Sequence, residues 1–134
     1  MSARLIPTPS LLTRPFWEAA RERRLALQRC ERCALLSFPP RARCPSCGAG
    51  ELRWQDVSGA GIVHTFTVVH RPPHAVFTQQ CPFVVAIVEL AEGPHMTSNI
   101  VNCDSAAVYV GMPVRVEFEA IDDSDLLLPL FTPA

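Results

Sequence analysis

The hydrophobic and polar positions along this chain change period twice and divide it into three segments. In TRPFWEAARERR, residues 13–24, Phe16, Trp17 and Ala20 recur at helical spacing, while Glu18, Arg21, Glu22, Arg23 and Arg24 take the remaining positions. Thr13 stands at the cap and Pro15 in the first turn, where a fixed φ and a missing N–H cost nothing, so the pattern predicts a short helix. Such a helix is marginal in water alone. Its stripe is therefore expected to pack on its own domain or, failing that, to present Phe16 and Trp17 to a partner. From about residue 25 to 53 helical periodicity is lost in a cysteine-rich stretch entered by the strand-like LALQRC. From Trp54 onward the pattern is β throughout.

That last segment contains five strand candidates. GIVHTFTVVHR is β-branched and aromatic, FVVAIVEL is a continuous apolar run, and HMTSNIV follows EGP as a hairpin return. VRVEFEA alternates strictly, with Val114, Val116 and Phe118 expected inside and Arg115, Glu117 and Glu119 outside. LLLPLF closes the set, and Pro129 within it implies an edge or a barrel rim. Five strands in about 75 residues suit a small closed barrel of the oligonucleotide/oligosaccharide-binding (OB) type. The expected architecture is mainly β: residues 1–53 form an N-terminal helix and the cysteine-rich module, and residues 54–134 form an OB-fold barrel.

The composition, 49% hydrophobic and 19% charged over 134 residues, is that of a globular unit. No apolar leader segment stands at the start, and the longest apolar run, CPFVVAIVELA, is far short of the roughly 20 residues a membrane helix needs. A cytoplasmic location is the expectation, and in that compartment paired cysteines bind metal more readily than they form disulfides. Charge is distributed unevenly. Residues 1–53 carry ten Arg and four Glu, a balance of +6, whereas residues 54–134 carry two Arg against nine acids, −7.

Four of the six cysteines form two C-x-x-C pairs in CERCALLSFPPRARCPSCG, ten residues apart. Cys30, Cys33, Cys44 and Cys47 suit a tetrahedral thiolate site in which each pair makes a knuckle and the residues between form a hairpin. Zinc is the expected ion, with rubredoxin-like iron as the rival. Four thiolates leave no open coordination position, so the ion is structural. Gly48 suits a turn of positive φ after the second knuckle, and Ala34 occupies the same place after the first. Cys81 and Cys103 have no C-x-x-C partner and read as small buried hydrophobes. His64 and His95 lie in strand-like stretches and read as structural. No paired carboxylates, phosphate-cradling glycine loop or Ser/His/Asp arrangement stands out, and no catalytic residue is assigned.

The order of helix, ribbon and barrel resembles, across nearly the whole chain, a family first catalogued as domain of unknown function thirty-five: an OB fold carrying a rubredoxin-like zinc ribbon. The matching stretches are PFWEAARERRLALQRCERC, FPPRARCPSCG, VSGAGIVHTFTVVHR, PFVVAIVELAEGP, SNIV, GMPVRVEFE and LPLF. The departures are Ala34 in place of a usual glycine, and His95-Met96-Thr97 where aliphatic residues are common. The resemblance implies an accessory subunit in a hetero-oligomer with a thiolase-like enzyme, serving thiolytic, acyltransfer or retro-aldol carbon–carbon chemistry on acyl-CoA thioesters, steroid side chains among them. The catalytic groups would then belong to the partner.

On that reading Arg29, Arg32, Arg41 and Arg43, which flank the knuckles, are expected to meet the phosphates of CoA through charge-assisted bidentate contacts. Phe38, with Pro39 and Pro40, would offer a flat surface to adenine. The long loop 71–82 would touch the partner or cover the acyl group, with His74 and Phe77 as contacts. The competing reading is a nucleic-acid module, because OB folds and zinc ribbons both serve there. It requires a basic groove with stacking aromatics, and a barrel of charge −7 opposes it.

Overall fold

The computed structural model describes residues 4–134. Its elements run in chain order as helix α1 (Arg14–Arg21), then strands β1 (Leu25–Cys30), β2 (Leu36–Ser37), β3 (Leu52–Val57), β4 (Ala60–Val69), β5 (Phe83–Leu90), β6 (His95–Ile100), β7 (Pro113–Ala120) and β8 (Leu127–Pro133). Short 3-10 turns at Ala75–Gln80 and Ser105–Ala107 interrupt two of the connections.

Helix α1 ends at Arg21, short of the end of the patterned stretch 13–24, and its ending explains why. Arg23 takes a left-handed φ of 61°. Its N–H bonds Ala20 O at 2.9 Å, and the Arg24 N–H bonds Ala19 O at 2.9 Å. That pair of bonds is a Schellman stop, which usually calls for glycine. Here the Arg23 guanidinium donates to Phe118 O of β7 at 3.3 Å, a contact a glycine could not make. Of the apolar stripe, Phe16 and Ala20 are buried and Trp17 is half-buried, and Ala19 beside them is buried as well.

The ribbon is a three-stranded antiparallel sheet in the order β2-β1-β3. Strand β3 pairs with β1 along its whole length, from Leu25↔Val57 to Cys30↔Leu52, and so crosses residue 53 without a break. The segment between the two cysteine pairs is not a hairpin of its own. Only Leu36–Ser37 is extended, and it pairs with β1.

The remaining five strands close a barrel in the order β4-β5-β6-β8-β7. All ladders are antiparallel except β6–β8, which joins in parallel through Ile100↔Phe131. This is the order of an OB fold. Pro129 lies on β8 beside that single bridge, where the Ser98 hydroxyl donates to its carbonyl at 2.9 Å. A residue without an N–H is tolerated at such a sparsely bonded junction. Gly61 permits the tight β4–β5 approach, since a Cβ there would stand 2.6 Å from Glu89 O.

One core cluster joins the helix, the ribbon's β1 and the barrel: Phe16, Ala20, Leu25 and Leu27 pack with Val63, Val84, Val88, Met96, Val114, Phe118 and Phe131. Val114 and Phe118 are buried and Val116 half-buried, as their alternation implies. Among the described residues no helix is long and apolar enough to cross a membrane.

Candidate metal centre and ligand-facing surfaces

The two knuckles repeat one set of backbone bonds. Cys30 N–H bonds Leu35 O at 2.9 Å and Ala34 N–H bonds Cys30 O at 2.9 Å; Cys44 N–H bonds Ala49 O at 2.8 Å and Gly48 N–H bonds Cys44 O at 3.0 Å. Each turn directs backbone N–H groups at its first sulfur, from Arg32 and Cys33 to Cys30 Sγ and from Ser46 to Cys44 Sγ, all at 3.4 Å. Ala34 and Gly48 both hold left-handed φ, 66° and 76°. The glycine fills its expected conformation, and the alanine adopts the same one.

All four sulfurs lie within 4.8 Å of one another. Cys30 and Cys47 are 3.6 Å apart, as are Cys33 and Cys44. Tetrahedral zinc with Zn–S of about 2.3 Å needs sulfur separations near 3.8 Å, so the set fits the ion. Electrostatics agree. The backbone N–H of Cys47, helped by that of Ser46, pushes the Cys44 thiol down to about 6. The Cys33 N–H likewise lowers Cys30. Cys33 receives a lowering bond from Leu35, but burial and its thiol neighbours outweigh that and raise it to about 11. A divalent cation supplies what is missing, charge enough to hold all four groups as thiolates. The four cysteines form a structural zinc site.

The arginines around the knuckles are placed differently from one another. Arg32, Arg41 and Arg43 are exposed, whereas Arg29 is half-buried. Arg29 donates to Gln55 Oε1 at 3.0 Å across the sheet, and Arg43 donates to Gly48 O at 3.0 Å. Gln28 is buried, and its side chain accepts from the Arg41 N–H at 2.7 Å, fixing the path of the chain before the second knuckle. Phe38 is half-buried against the large core and packs on Phe16, ring centroids 5.7 Å apart. Phe16 is buried, so the helix stripe packs on its own domain, and Trp17 meets it edge to face at 5.1 Å. Trp17 and Phe38 still border a groove of about 330 Å³ with Met96, Leu128 and Pro129.

Loop 71–82 borders a larger cavity against the barrel, open to solvent and about 640 Å³, lined by Val76, Gln79, Phe83, Ile100 and Cys103 among others. Asn99 sits at its floor, accepting from Arg4 at 2.9 Å and donating to Val84 O at 2.8 Å. Arg4 also pairs with Glu119 at 3.5 Å. His74 caps the 3-10 turn, its Nδ1 accepting from Val76 N–H at 3.1 Å, and Phe77 packs on Phe83 at 5.6 Å. Cys81 and Cys103 are half-buried rather than buried. Burial and the Asp104 charge raise the Cys103 thiol, which keeps it protonated. His64 and His95 are exposed on the outer face of the barrel, where Glu89 joins them. No spacing in the sequence announced that group, because it depends on the pairing of three strands.

A closed five-stranded barrel behind a ribbon of four zinc-binding cysteines defines the class. Residues 17–53 match the rubredoxin-like zinc ribbon domain of ChsH2, and residues 54–119 match the ChsH2 C-terminal OB-fold domain. A DUF35 domain-containing scaffold protein of Methanocaldococcus jannaschii is 40% identical over 112 residues, covering 81% of this chain and 79% of the relative. The chain belongs to this DUF35 family of zinc-ribbon OB-fold proteins. It is also 43% identical over 121 residues to a probable enoyl-CoA hydratase alpha subunit of Thermomonospora curvata, covering 89% of this chain but 37% of that subunit. The chain thus spans little more than a third of that relative. Among solved structures, an Ltp2-ChsH2(DUF35) aldolase superposes with a TM-score of 0.84 at 38% identity, over 96% of this chain and 98% of that one.

Proposed function

We propose that this chain is an accessory subunit of an enzyme acting on acyl-CoA thioesters, and that its partner is a thiolase-superfamily protein supplying the catalytic groups. The observation that carries the reading is the near end-to-end likeness to the ChsH2(DUF35) chain of an aldolase, at an identity well above that of fold resemblance alone. Relatives named as scaffold proteins and as a hydratase subunit support the same role, that of holding an acyl-CoA enzyme together.

The ribbon contributes rigidity and charge. Zinc fixes the knuckles, and Arg32, Arg41 and Arg43 project from them into solvent as bidentate donors for the CoA phosphates, with Arg29 behind them. The loop 71–82 and the cavity beneath it take the acyl end, the loop closing against the partner. The groove beside Trp17 and Phe38 is the apolar part of the docking face.

The test is co-purification of the tagged chain from its host, followed by assay of the complex on acyl-CoA substrates. A stoichiometric thiolase-like protein whose activity falls when this chain is removed is the expected result. A chain that elutes alone sinks the reading. In the active complex, replacing Arg32, Arg41 and Arg43 by Ala is expected to raise KM for the CoA substrate and leave kcat near its original value.

A further inference from the structure

We propose that His64, Glu89 and His95 form a second divalent-cation site, of the two-imidazole, one-carboxylate type, on the outer face of the barrel. The inference comes from strand pairing and is independent of the accessory-subunit reading.

Three adjacent strands each supply one ligand. Glu89 of β5 pairs directly with His95 of β6. Val84, Ala86, Val88 and Leu90 of β5 point into the core, so Glu89 points outward, and beside it on β6 the burial of Met96 sends His95 outward as well. On the other side β4 pairs Val63 with Val88 and Thr65 with Ile87, which leaves His64 as an extra residue in a β-bulge. The bulge has a visible consequence: Val63 is buried, and both His64 and Thr65 are exposed, so two consecutive side chains emerge on one face. A bulge re-aims a side chain in this way, and here it turns His64 across the sheet toward Glu89 and His95.

The imidazole and carboxylate ligand atoms all lie within 4.8 Å of one another. The two rings stand 4.5 Å apart at an interplanar angle of 39°. Bonds of about 2.0–2.2 Å to a shared ion require donors about 3.3 Å apart, so the two exposed imidazoles and the half-buried carboxylate need close by at most about 1.5 Å, which rotamer adjustment supplies. Imidazole selects the borderline ions Zn2+, Co2+, Ni2+ and Cu2+ over Mg2+ and Ca2+. Three protein ligands leave one coordination position open, in contrast with the closed four-thiolate site of the ribbon. That position is free for water or for a donor from a docked partner.

The experiment uses the full chain with its ribbon zinc in place, freed of excess metal and titrated with Zn2+ by calorimetry. A second equivalent is expected to bind in wild type, with affinity reduced at least tenfold in His64→Ala and in His95→Ala. Glu89→Gln, which preserves the shape of the outer face, is expected to weaken it as well. Titration with Cu2+ is expected to give a paramagnetic spectrum with hyperfine splitting from two imidazole nitrogens, lost in either histidine variant. Uptake of no second equivalent overturns the site and leaves a stacked histidine pair beside a carboxylate. A second equivalent that survives unchanged in His64→Ala/His95→Ala overturns it too, since the ion then sits elsewhere.

Discussion

Around the knuckles the buried side chains are Cys30, Cys44 and Ala49, with Leu52 packed against them. The barrel, by contrast, surrounds Val63, Val84, Val88, Met96, Val114 and Phe131 with one another and with Phe16 and Leu27 from outside it. Strand β1 spans both regimes, its Leu25 and Leu27 in the large core and its Cys30 in the small one. One end of the molecule is held by apolar burial and the other by an ion. Charge follows the same division, +6 before Trp54 and −7 from it onward. The difference teaches where each kind of damage should stop.

Removing the metal should have the largest effect. Structural zinc contributes on the order of 10 kcal/mol or more to ribbons of this kind, because no preformed site exists in the unfolded chain. Chelation, or Cys44→Ser, is therefore expected to erase the dispersed amide signals of residues 30–53 in NMR spectra while those of β4–β8 persist. Loss of the barrel signals along with the ribbon would show that the two regions are not separable. Acid should act in the same direction. In the metal-free ribbon the Cys44 thiol is held below its ordinary value, so its thiolate contributes stability above that value and loses it as the pH falls through about 6. Protons also compete with zinc for the same sulfurs. Zinc release, followed with a chromogenic chelator, is expected to rise as the pH is lowered and not as it is raised.

The reverse damage falls on the barrel. Phe131 is fully buried where β8 meets both β6 and β7. Phe131→Ala is expected to cost about 3–5 kcal/mol in a denaturant titration, with zinc stoichiometry unchanged in the fraction that remains folded. Gly61→Ala should cost less, about 1–3 kcal/mol, because the β4–β5 ladder must part to clear Glu89 O. A neutral Gly61→Ala would mean that the ladder tolerates a wider spacing than it shows.

How much of this was legible beforehand follows from the range of each cause. The alternation of VRVEFEA and the apolar run of FVVAIVEL are local, and they placed β7 and β5 and, with their neighbours, the barrel. The C-x-x-C spacing is local too, and the four sulfurs meet as it implied. The early end of α1 was hidden because Arg23, an ordinary helix former, takes the left-handed stop and is compensated by Phe118 O, 95 positions away. Phe38 could not be oriented from sequence, since its neighbour Phe16 belongs to a different element. The grouping of His64, Glu89 and His95 required knowing a bulge and two registers at once. What sequence conceals here is pairing between elements rather than the elements themselves.

The smallest expected effect compares the knuckles with each other. They share hydrogen bonds and a left-handed residue at the fourth position after the first cysteine, yet one uses Ala34 and the other Gly48. A side chain at positive φ costs roughly 1–2 kcal/mol against the same residue in a right-handed region, whereas glycine pays no such steric cost. Ala34→Gly should therefore stabilise the zinc-bound ribbon by about 1 kcal/mol, less whatever the freer unfolded chain gives back. Gly48→Ala should destabilise it by a similar amount, since nothing lies within 4 Å of a Cβ at that position and only the backbone objects. The double exchange should come out close to neutral. Competition for zinc against a chelator of known affinity reads all three. If both single variants weaken zinc binding, the alanine at position 34 is held by packing, and the equivalence of the two knuckles extends only to their hydrogen bonds.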